Sequence, residues 1–319
     1  MCTAINLEGK YFGRTLDYER SFGERILITP RDNILLGEAK NRYAMVGVGV
    51  LDGGVPLYFD GMNEWGLAAA ALNFEGCAVY HRTEGAKAEI SSGALVSFLL
   101  SFCRNTDEVK GAMANLCISN EGSAPLHWMV ADRRGTVVIE SVADGLRVYD
   151  NPVGVLTNSP GLDFHLTRLS EYSHLRAETG ENTLTKTALR AYSRGMGAMG
   201  LPGDFSSSSR FVRGVFLKEK TQISDGRAVG NVGAEYAEII RFFHIADGVS
   251  VPRGCVLTDE GRAVSTLYTS LCDLANLTYC FTTYDNREIR GIKLTDKEMQ
   301  SKRIIEFPLY SEGKIEILN

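Results

Sequence analysis

The chain has 319 residues, of which 44% are hydrophobic and 23% charged, a composition typical of a folded globular protein with a substantial core. Its net charge of −5 argues against nucleic acid and anionic membrane surfaces as partners. No apolar stretch approaches the ~20 residues of a membrane span, and no secretory signal is recognisable. We therefore expect the seven cysteines, which show no CxxC spacing, to be reduced thiols in a cytoplasmic protein.

The first third of the chain is predicted to be rich in β-strands. Residues 2–7 and 11–16 flank Glu8-Gly9-Lys10, a pattern typical of a hairpin turn. Further strands are predicted at apolar or alternating runs, namely 25–29, 43–50, 57–60 and 67–73. Helical spacing then predicts helices at 91–103 and 106–116, the second with Asn105 or Thr106 as its N-cap.

The remainder of the chain continues in blocks of one element type. Strands are predicted at 126–131, 136–141, 146–149 and 153–156, and later at 264–271, 278–283 and 288–294. Helices are predicted between them at about 163–175, 184–195, 208–220 and 234–246. Since no repeat or linker divides the chain, we expect a single domain spanning 1–319. Blocks without regular βαβ alternation predict an α+β fold, with two antiparallel sheets covered by helices on their outer faces.

Cys2 is the strongest candidate for chemistry, because it directly follows Met1. Cys is small enough for Met1 to be removed, which leaves a thiol and a free α-amine on one residue. Such a pair supplies its own nucleophile and base. The alternative is a cysteine that merely packs in the first strand.

Charged residues follow Cys2 on the second strand of the predicted hairpin. The turn brings Arg14 back across from the start of the first strand, where a guanidinium would favour a thiolate. Asp17 could accept hydrogen bonds from the α-amine of Cys2. The alternative is an Arg/Asp pair on the surface of a hairpin.

Two asparagines end apolar runs, Asn73 after Ala70-Ala71-Leu72 and Asn158 after Val155-Leu156-Thr157. Amides at strand ends beside a nucleophile can donate to an oxyanion, although capping a turn is the other role open to them. Arg210 follows a run of serines and is either part of this site or an ordinary charged residue at the start of a helix.

Other motifs do not predict a cofactor. The GxGxxG match at Gly195–Gly200 follows a helical pattern and precedes Pro202, so it predicts no dinucleotide site. The five histidines show no metal-ligand spacing, and no nearby cysteine completes a ligand set. We therefore expect neither a cofactor nor a metal.

Taken together, these residues form an ordered series of motifs along nearly the whole chain. The series comprises Met1–Thr3, Phe12–Asp17, Asp60–Glu64, Leu72–Phe74, Leu126–Met129, Val155–Pro160, Gly200–Phe205, Ser209–Arg213, Tyr268–Ser270 and Thr283–Asn286. In this order and spacing the chain resembles the choloylglycine hydrolase family. That family contains the bile salt hydrolases and penicillin V acylases and belongs to the N-terminal nucleophile hydrolases.

The resemblance implies a four-layer αββα sandwich, assembled as a homotetramer, that hydrolyses a linear amide without metal or cofactor. The family's catalytic set falls on Cys2, Arg14, Asp17, Asn73, Asn158 and Arg210. The implied substrate is a bile acid conjugated to glycine or taurine, and an apolar pocket would hold its steroid. Candidates to line that pocket are Leu16, Phe22 and Phe59.

Two other functions stay open at this point. A penicillin V acylase would use the same chemistry, and a non-catalytic protein that binds amphipathic molecules would keep only the fold. Within the resemblance, Asn at position 73 favours bile salts, since a Tyr there is more typical of penicillin V acylases. Retention of Cys2 with its charged partners argues against the non-catalytic protein.

Overall fold

The computed structural model describes residues 1–36, 39–81, 88–119, 124–221 and 233–319. The strands are β1 (Cys2–Leu7), β2 (Tyr11–Tyr18), β3 (Arg25–Thr29), β4 (Ile34–Leu36), β5 (Ala39–Lys40), β6 (Met45–Asp52), β7 (Val55–Asn63), β8 (Ala68–Asn73), β9 (Ala88–Ser91), β10 (Leu116–Ser119), β11 (Leu126–Ala131), β12 (Thr136–Val142), β13 (Gly145–Asp150), β14 (Val155–Leu156), β15 (Val256–Leu257), β16 (Ala263–Asp273), β17 (Thr278–Thr283), β18 (Arg290–Lys293) and β19 (Ile305–Phe307). The helices are α1 (Leu95–Phe102), α2 (Thr106–Met113), α3 (Leu162–Leu169), α4 (Ser207–Lys220), α5 (Ala234–Asp247) and α6 (Asp296–Met299).

Two large antiparallel sheets form the centre of the protein. In the first sheet the strand order is β14-β1-β2-β16-β17-β18, with β15 paired to β16. In the second sheet the order is β13-β12-β11-β8-β7-β6-β3-β19. The strands β4 and β5 form a small antiparallel pair, whereas β9 and β10 pair in parallel.

Helices cover the outer face of each sheet. The helix α1 packs on β7 and β8 of the second sheet, while α4 and α5 pack on strands of the first sheet. Strand alternation separates the two cores: on β3, Ile26 and Ile28 belong to the core that includes both sheets, whereas Leu27 belongs to the core beneath α1 and α2. The architecture is therefore the predicted αββα sandwich.

The N-terminal hairpin forms as the sequence predicts. Glu8 and Gly9, the central residues of the turn that the Lys10 N–H closes on the Leu7 carbonyl at 3.1 Å, both adopt positive φ angles, of 56° and 66°. The register pairs Leu7 with Tyr11 and Cys2 with Leu16. This pairing places the start of β1 against the later half of β2.

The helix predicted at 184–195 does not form. This stretch is irregular and exposed, and the side chains of Leu184 and Tyr192 are 91% and 84% accessible to solvent. A twelve-residue helix is marginal unless an apolar face is buried. Within the described residues no helix is long and apolar enough to cross a membrane.

Candidate active site

Cys2 is the first residue of β1, which lies inside the first sheet between β14 and β2. Its side chain is buried, and Arg14 Nη2 donates a hydrogen bond to Cys2 Sγ at 2.5 Å. Arg14 pairs with Ala4 in the hairpin register, so its side chain reaches back along β1 to the thiol. The expected contact between Arg14 and Cys2 is therefore present.

Arg14 also connects the two sheets. Its Nη1 donates to the carbonyl of Ala71 on β8 at 2.8 Å, and its Nε donates to the carbonyl of Thr15 at 3.2 Å. Burial lowers the pKa of the Arg14 guanidinium, but electrostatic interactions with Cys2, Tyr268 and Asp60 outweigh burial and leave the pKa raised. Arg14 is thus a fixed cation at the thiol.

Asp17 lies on the opposite face of β2, because a three-residue separation reverses the side-chain direction along a strand. Its carboxylate accepts hydrogen bonds from Thr266 Oγ1 at 2.6 Å and from Thr15 Oγ1 at 3.2 Å. The guanidinium of Arg210 lies 4.0 Å away, and both side chains are fully buried. The carboxylate of Asp17 therefore faces the helical layer, while Arg14 faces the second sheet.

Arg210 is fully buried and bonds the backbone of Cys2, unlike an ordinary charged residue at a helix start. It lies in the first turn of α4, where Ser206 caps the helix by accepting from the Ser209 N–H. Its guanidinium donates to the Cys2 carbonyl at 2.5 Å, to Thr3 Oγ1 at 2.7 Å and to Asn158 Oδ1 at 2.6 Å. Burial lowers the pKa of Arg210, and the charge of Asp17 acts against this shift.

Asn158 joins Cys2 to the second sheet. Its Oδ1 accepts from the backbone nitrogen of Cys2 at 2.8 Å, and its Nδ2 donates to the carbonyl of Asn73 at 2.8 Å. Asn73 Oδ1 in turn accepts from the Glu75 N–H at 2.8 Å, a local turn of the kind that asparagine favours. Asn73 therefore caps a turn and also lies beside Asn158, while its role as an oxyanion donor stays a prediction.

Met1 lies against the backbone of Asp17. Its amino group donates to the Asp17 carbonyl at 2.7 Å, and the Asp17 N–H donates to the Met1 carbonyl at 3.0 Å. Met1 lines a cavity of about 490 Å³. The other residues lining this cavity are Asp17, Tyr18, Glu19, Asn73, Glu75, Asn158, Ser159, Val256, Leu257, Thr258, Asp259, Glu260, Arg262 and Val264.

The predicted substrate-binding residues divide into two groups. Leu16 is buried in the core and pairs with Cys2 across the hairpin. Phe22 is 45% exposed, and its ring lies 4.7 Å from that of Tyr18 and 5.6 Å from that of Phe59. Tyr18 lines the cavity and contacts Phe22, whereas Leu16, Phe22 and Phe59 themselves are not among the residues that line it.

Sequence reasoning missed a buried carboxylate next to this site. Asp60 on β7 accepts hydrogen bonds from the hydroxyls of Tyr268 at 2.5 Å, Tyr279 at 2.6 Å and Ser270 at 2.8 Å. Burial raises the pKa of Asp60, while the charge of Arg14 and the three hydroxyls act against this. The only signal in the sequence was the motif that begins at Asp60, and the hydroxyl donors come from strands more than 200 residues away.

Sequence reasoning also missed the hydroxyl partners of the charged residues. Thr266 binds the carboxylate of Asp17, and Thr3 binds the guanidinium of Arg210. Thr266 pairs with Asp17 between β16 and β2, so only the long-range strand pairing could have indicated it. Thr3 could have been identified from the alternation along β1, since its side chain faces away from that of Cys2.

Comparison with known proteins agrees with this geometry. Residues 2–307 match the family described as linear amide C–N hydrolases, choloylglycine hydrolase family. The chain is 39% identical to a bile salt hydrolase/transferase of Lactiplantibacillus plantarum over the full length of both chains. It is 34% identical to a bile salt hydrolase/transferase of Clostridium perfringens, over 95% of each chain.

Solved structures share the fold. The structure superposes with a TM-score of 0.89 on a cysteine-to-alanine variant of the conjugated bile acid hydrolase from Clostridium perfringens, with 32% identity and complete coverage of both chains. A penicillin V acylase from Agrobacterium tumefaciens shows the same fold with a TM-score of 0.75 and 20% identity, over 98% of this chain and 95% of that one. The protein is thus an enzyme of the choloylglycine hydrolase family, with the fold of the N-terminal nucleophile hydrolases.

Proposed function

We propose that this enzyme is a bile salt hydrolase, which cleaves the amide bond between a bile acid and glycine or taurine with Cys2 as nucleophile. The observation that carries the proposal is the pair of contacts made by Cys2. Its sulfur accepts from the buried guanidinium of Arg14, and its nitrogen donates to Asn158. The family and the similarity to bile salt hydrolases support the substrate class.

The mechanism requires removal of Met1, because an amide nitrogen at Cys2 cannot act as a base. Once Met1 is removed, the Cys2 amine can take the thiol proton while the sulfur attacks the substrate carbonyl carbon. Removal of Met1 enlarges the cavity that Asp17, Asn73 and Asn158 also line, and this space becomes available to the substrate. The hydrogen bond from the Cys2 nitrogen to Asn158 Oδ1 orients the amine as the base.

The tetrahedral intermediate places a negative charge on the former carbonyl oxygen. Asn158 Nδ2 uses one hydrogen for the Asn73 carbonyl and retains a second hydrogen for this oxyanion. Asn73 Oδ1 is already an acceptor, so its Nδ2 group is the donor that remains for substrate. Such preorganised donors stabilise charge that develops in the transition state.

Collapse of the intermediate breaks the C–N bond, and the Cys2 ammonium gives its proton to the departing amine of glycine or taurine. The acyl group is then held as a thioester on the sulfur. Water attacks this thioester, passing a proton to the Cys2 amine, and a second collapse releases the bile acid and restores the thiol. The nucleophile and the base are both on Cys2, so the two steps use the same groups.

The buried charges around Cys2 balance one another. Arg14 and Arg210 supply two positive charges, and Asp17 and Asp60 supply two negative charges, all in side chains almost inaccessible to solvent. The site is therefore neutral before Cys2 is counted. Either a thiol with an amine or a thiolate with an ammonium keeps it neutral, so proton transfer within Cys2 leaves no unpaired buried charge.

Specificity for the steroid is proposed to come from Asn73 and from the cavity. A small amide at position 73 leaves more room beside the oxyanion than a tyrosine would. The exposed ring of Phe22 forms an aromatic surface with Tyr18, the partly buried Phe59 packs on Phe22, and Leu16 pairs with Cys2 across the hairpin. We propose that the apolar steroid packs on this aromatic surface.

A substrate panel tests the proposal. Purified enzyme whose mass shows the loss of Met1 should hydrolyse glycocholate and taurocholate with higher kcat/KM than penicillin V. Alkylation of the thiol should abolish turnover, and Cys2→Ser should remain folded but nearly inactive. A kcat/KM for penicillin V above that for both bile salts would assign the enzyme as a penicillin V acylase. If no amide is hydrolysed, the result would favour a non-catalytic binding protein. Full activity of protein that retains Met1 would refute the mechanism.

We further propose a single domain over 1–319 and a cytoplasmic homotetramer. The core that contains residues of both sheets supports one folding unit. All seven cysteines are free thiols, which supports a reducing compartment. The exposed apolar side chains of Leu184, Leu189 and Tyr192 support burial against another subunit.

A further inference from the structure

Two histidines that the mechanism does not use lie directly behind Asn158. His127 on β11 and His165 on α3 are both fully buried. His127 Nε2 lies 2.9 Å from the Thr157 carbonyl oxygen, and His165 Nε2 lies 2.9 Å from the Asn158 carbonyl oxygen. Carbonyl oxygens only accept hydrogen bonds, so each Nε2 carries a proton and donates it.

The backbone that the two histidines hold is outside regular structure. The strand β14 ends at Leu156, so the carbonyls of Thr157 and Asn158 have no strand partner. Ser207 also bonds this dipeptide: its hydroxyl donates to the Asn158 carbonyl at 2.8 Å and accepts from the Asn158 N–H at 2.9 Å. The position of the Asn158 carboxamide therefore depends on side chains from three other elements.

His127 links the two sheets at the catalytic asparagines. It lies on the second sheet, whereas Thr157 follows a strand of the first sheet. Its ring stacks on that of Phe74, with 4.2 Å between the centroids, and Phe74 is the residue after Asn73. One imidazole thus contacts the backbone beside Asn158 and the side chain beside Asn73.

Glu140 on β12 connects both histidines. Its Oε1 lies 3.2 Å from His127 Nδ1 and accepts from the Leu162 N–H at 3.1 Å, at the start of the helix that carries His165. Tyr149 donates its hydroxyl to the other carboxylate oxygen. Burial would raise the pKa of Glu140, but the hydrogen bonds from His127, Tyr149 and Leu162 outweigh burial and lower it.

His165 is held in one protonation state by its surroundings. Burial lowers its pKa, and its Nδ1 has no hydrogen-bond partner among the described residues. The ring is therefore neutral, with its proton on Nε2 and aimed at the Asn158 carbonyl.

We propose that His127 and His165 are positioning residues, which fix the backbone of Thr157 and Asn158 and thereby hold the Asn158 carboxamide against Cys2. Neither ring is hydrogen-bonded to Cys2, so each acts through the backbone it holds at Thr157 and Asn158. The inference rests on the proposed amide hydrolysis at Cys2, to which it adds the groups that set the geometry of the base and the oxyanion site.

The test replaces each histidine by a leucine, which removes the donor but fills most of the space, and by a glutamine, whose side-chain nitrogen can still donate. His127→Leu and His165→Leu should each lower kcat for glycocholate by about 10²-fold, because a displacement of about 1 Å costs this much in a preorganised site. KM should change by less than about threefold, since the asparagine acts mainly in the transition state. His127→Gln should recover most of the lost kcat.

His81→Leu is the matched control, because His81 Nε2 also bonds a backbone carbonyl, that of Val142 at 2.8 Å, but at an exposed site. It should keep the wild-type kcat. Leucine variants that are folded by thermal melting and retain the wild-type kcat would overturn the proposal. If His127→Leu does not fold, His165→Leu and His127→Gln decide the question in the same assay.

A crystal structure of mature His127→Leu separates this inference from the proposed substrate. The distance from Cys2 nitrogen to Asn158 Oδ1, 2.8 Å in the present structure, should exceed 3.5 Å in the variant. This distance is measured without a bile salt. It therefore tests whether His127 positions Asn158 even if the wild-type enzyme hydrolyses no conjugated bile acid. An unchanged distance would overturn the inference while leaving the proposed function intact.

Discussion

The buried pair formed by Arg210 and Asp17 allows the energetics of the site to be measured by a double-mutant cycle. The two charged groups are 4.0 Å apart and inaccessible to solvent. At this distance two unit charges interact by about 4 kcal/mol when the effective dielectric constant is about 20. Removal of one partner from a buried pair commonly costs about 3–5 kcal/mol, because the other charge stays buried and unpaired.

We expect Arg210→Met and Asp17→Asn each to lower the free energy of unfolding strongly. The double variant should lose less free energy of unfolding than the two single variants lose together. The coupling energy should be about 2–4 kcal/mol, below the full Coulomb value because Thr266 and the Cys2 carbonyl remain as partners. Urea unfolding of the four proteins measures this coupling, provided that the m-value is the same in all of them.

Arg213 provides the control cycle, because it lies on the same helix and its guanidinium donates to the carbonyls of Gly248, Pro202 and Asp204. Arg213→Met combined with Asp17→Asn should be additive within about 0.5 kcal/mol. If the stability losses of Arg210→Met and Asp17→Asn also add within about 0.5 kcal/mol, the assignment of a direct interaction between these buried charges on β2 and α4 is refuted.

Three further predictions concern catalysis, specificity and pH. Asn158→Ala should lower kcat by about 10²–10³-fold with little change in KM, as steady-state kinetics would show, whereas a raised KM alone would assign Asn158 to substrate binding. Asn73→Tyr should raise the ratio of kcat/KM for penicillin V to that for glycocholate, and an unchanged ratio would contradict the steric argument. The hydroxyls of Ser206 and Ser209 lower the pKa of Asp204 to about 2. The stabilising contribution of this carboxylate is therefore complete above about pH 4 and is lost as the pH falls toward 2. Urea unfolding should show that Asp204→Asn loses less stability than the wild-type protein between about pH 4 and pH 2.

Local signals in the sequence were sufficient for parts of the fold. The hairpin at Glu8–Lys10 and the helix at 207–220 follow from turn residues, capping and periodicity. Asn105 accepts from the Glu108 N–H at 2.9 Å, as expected of an N-cap. By contrast, the apolar residues at 184–195 suggested a helix but have no core to pack against, and periodicity alone cannot show whether a partner exists.

The candidate site was predictable where the hairpin itself brings residues together. Arg14 reaches Cys2 because both belong to one antiparallel pair, and that pairing is fixed by the turn. The partners of Asp17 were not predictable, since its carboxylate contacts Thr266 from a strand almost 250 residues later. Its expected interaction with the Cys2 amine remains a prediction for the protein without Met1.

The hydrogen bonds between Met1 and Asp17 also have a consequence for recombinant production. The residue that precedes Cys2 lines the cavity and is bonded through both its amine and its carbonyl to the backbone of Asp17. An affinity tag fused at this end would extend from a residue that lines the cavity and would keep Cys2 acylated. The last residues, 311–319, are exposed and outside both sheets, so a purification tag belongs at the C-terminus.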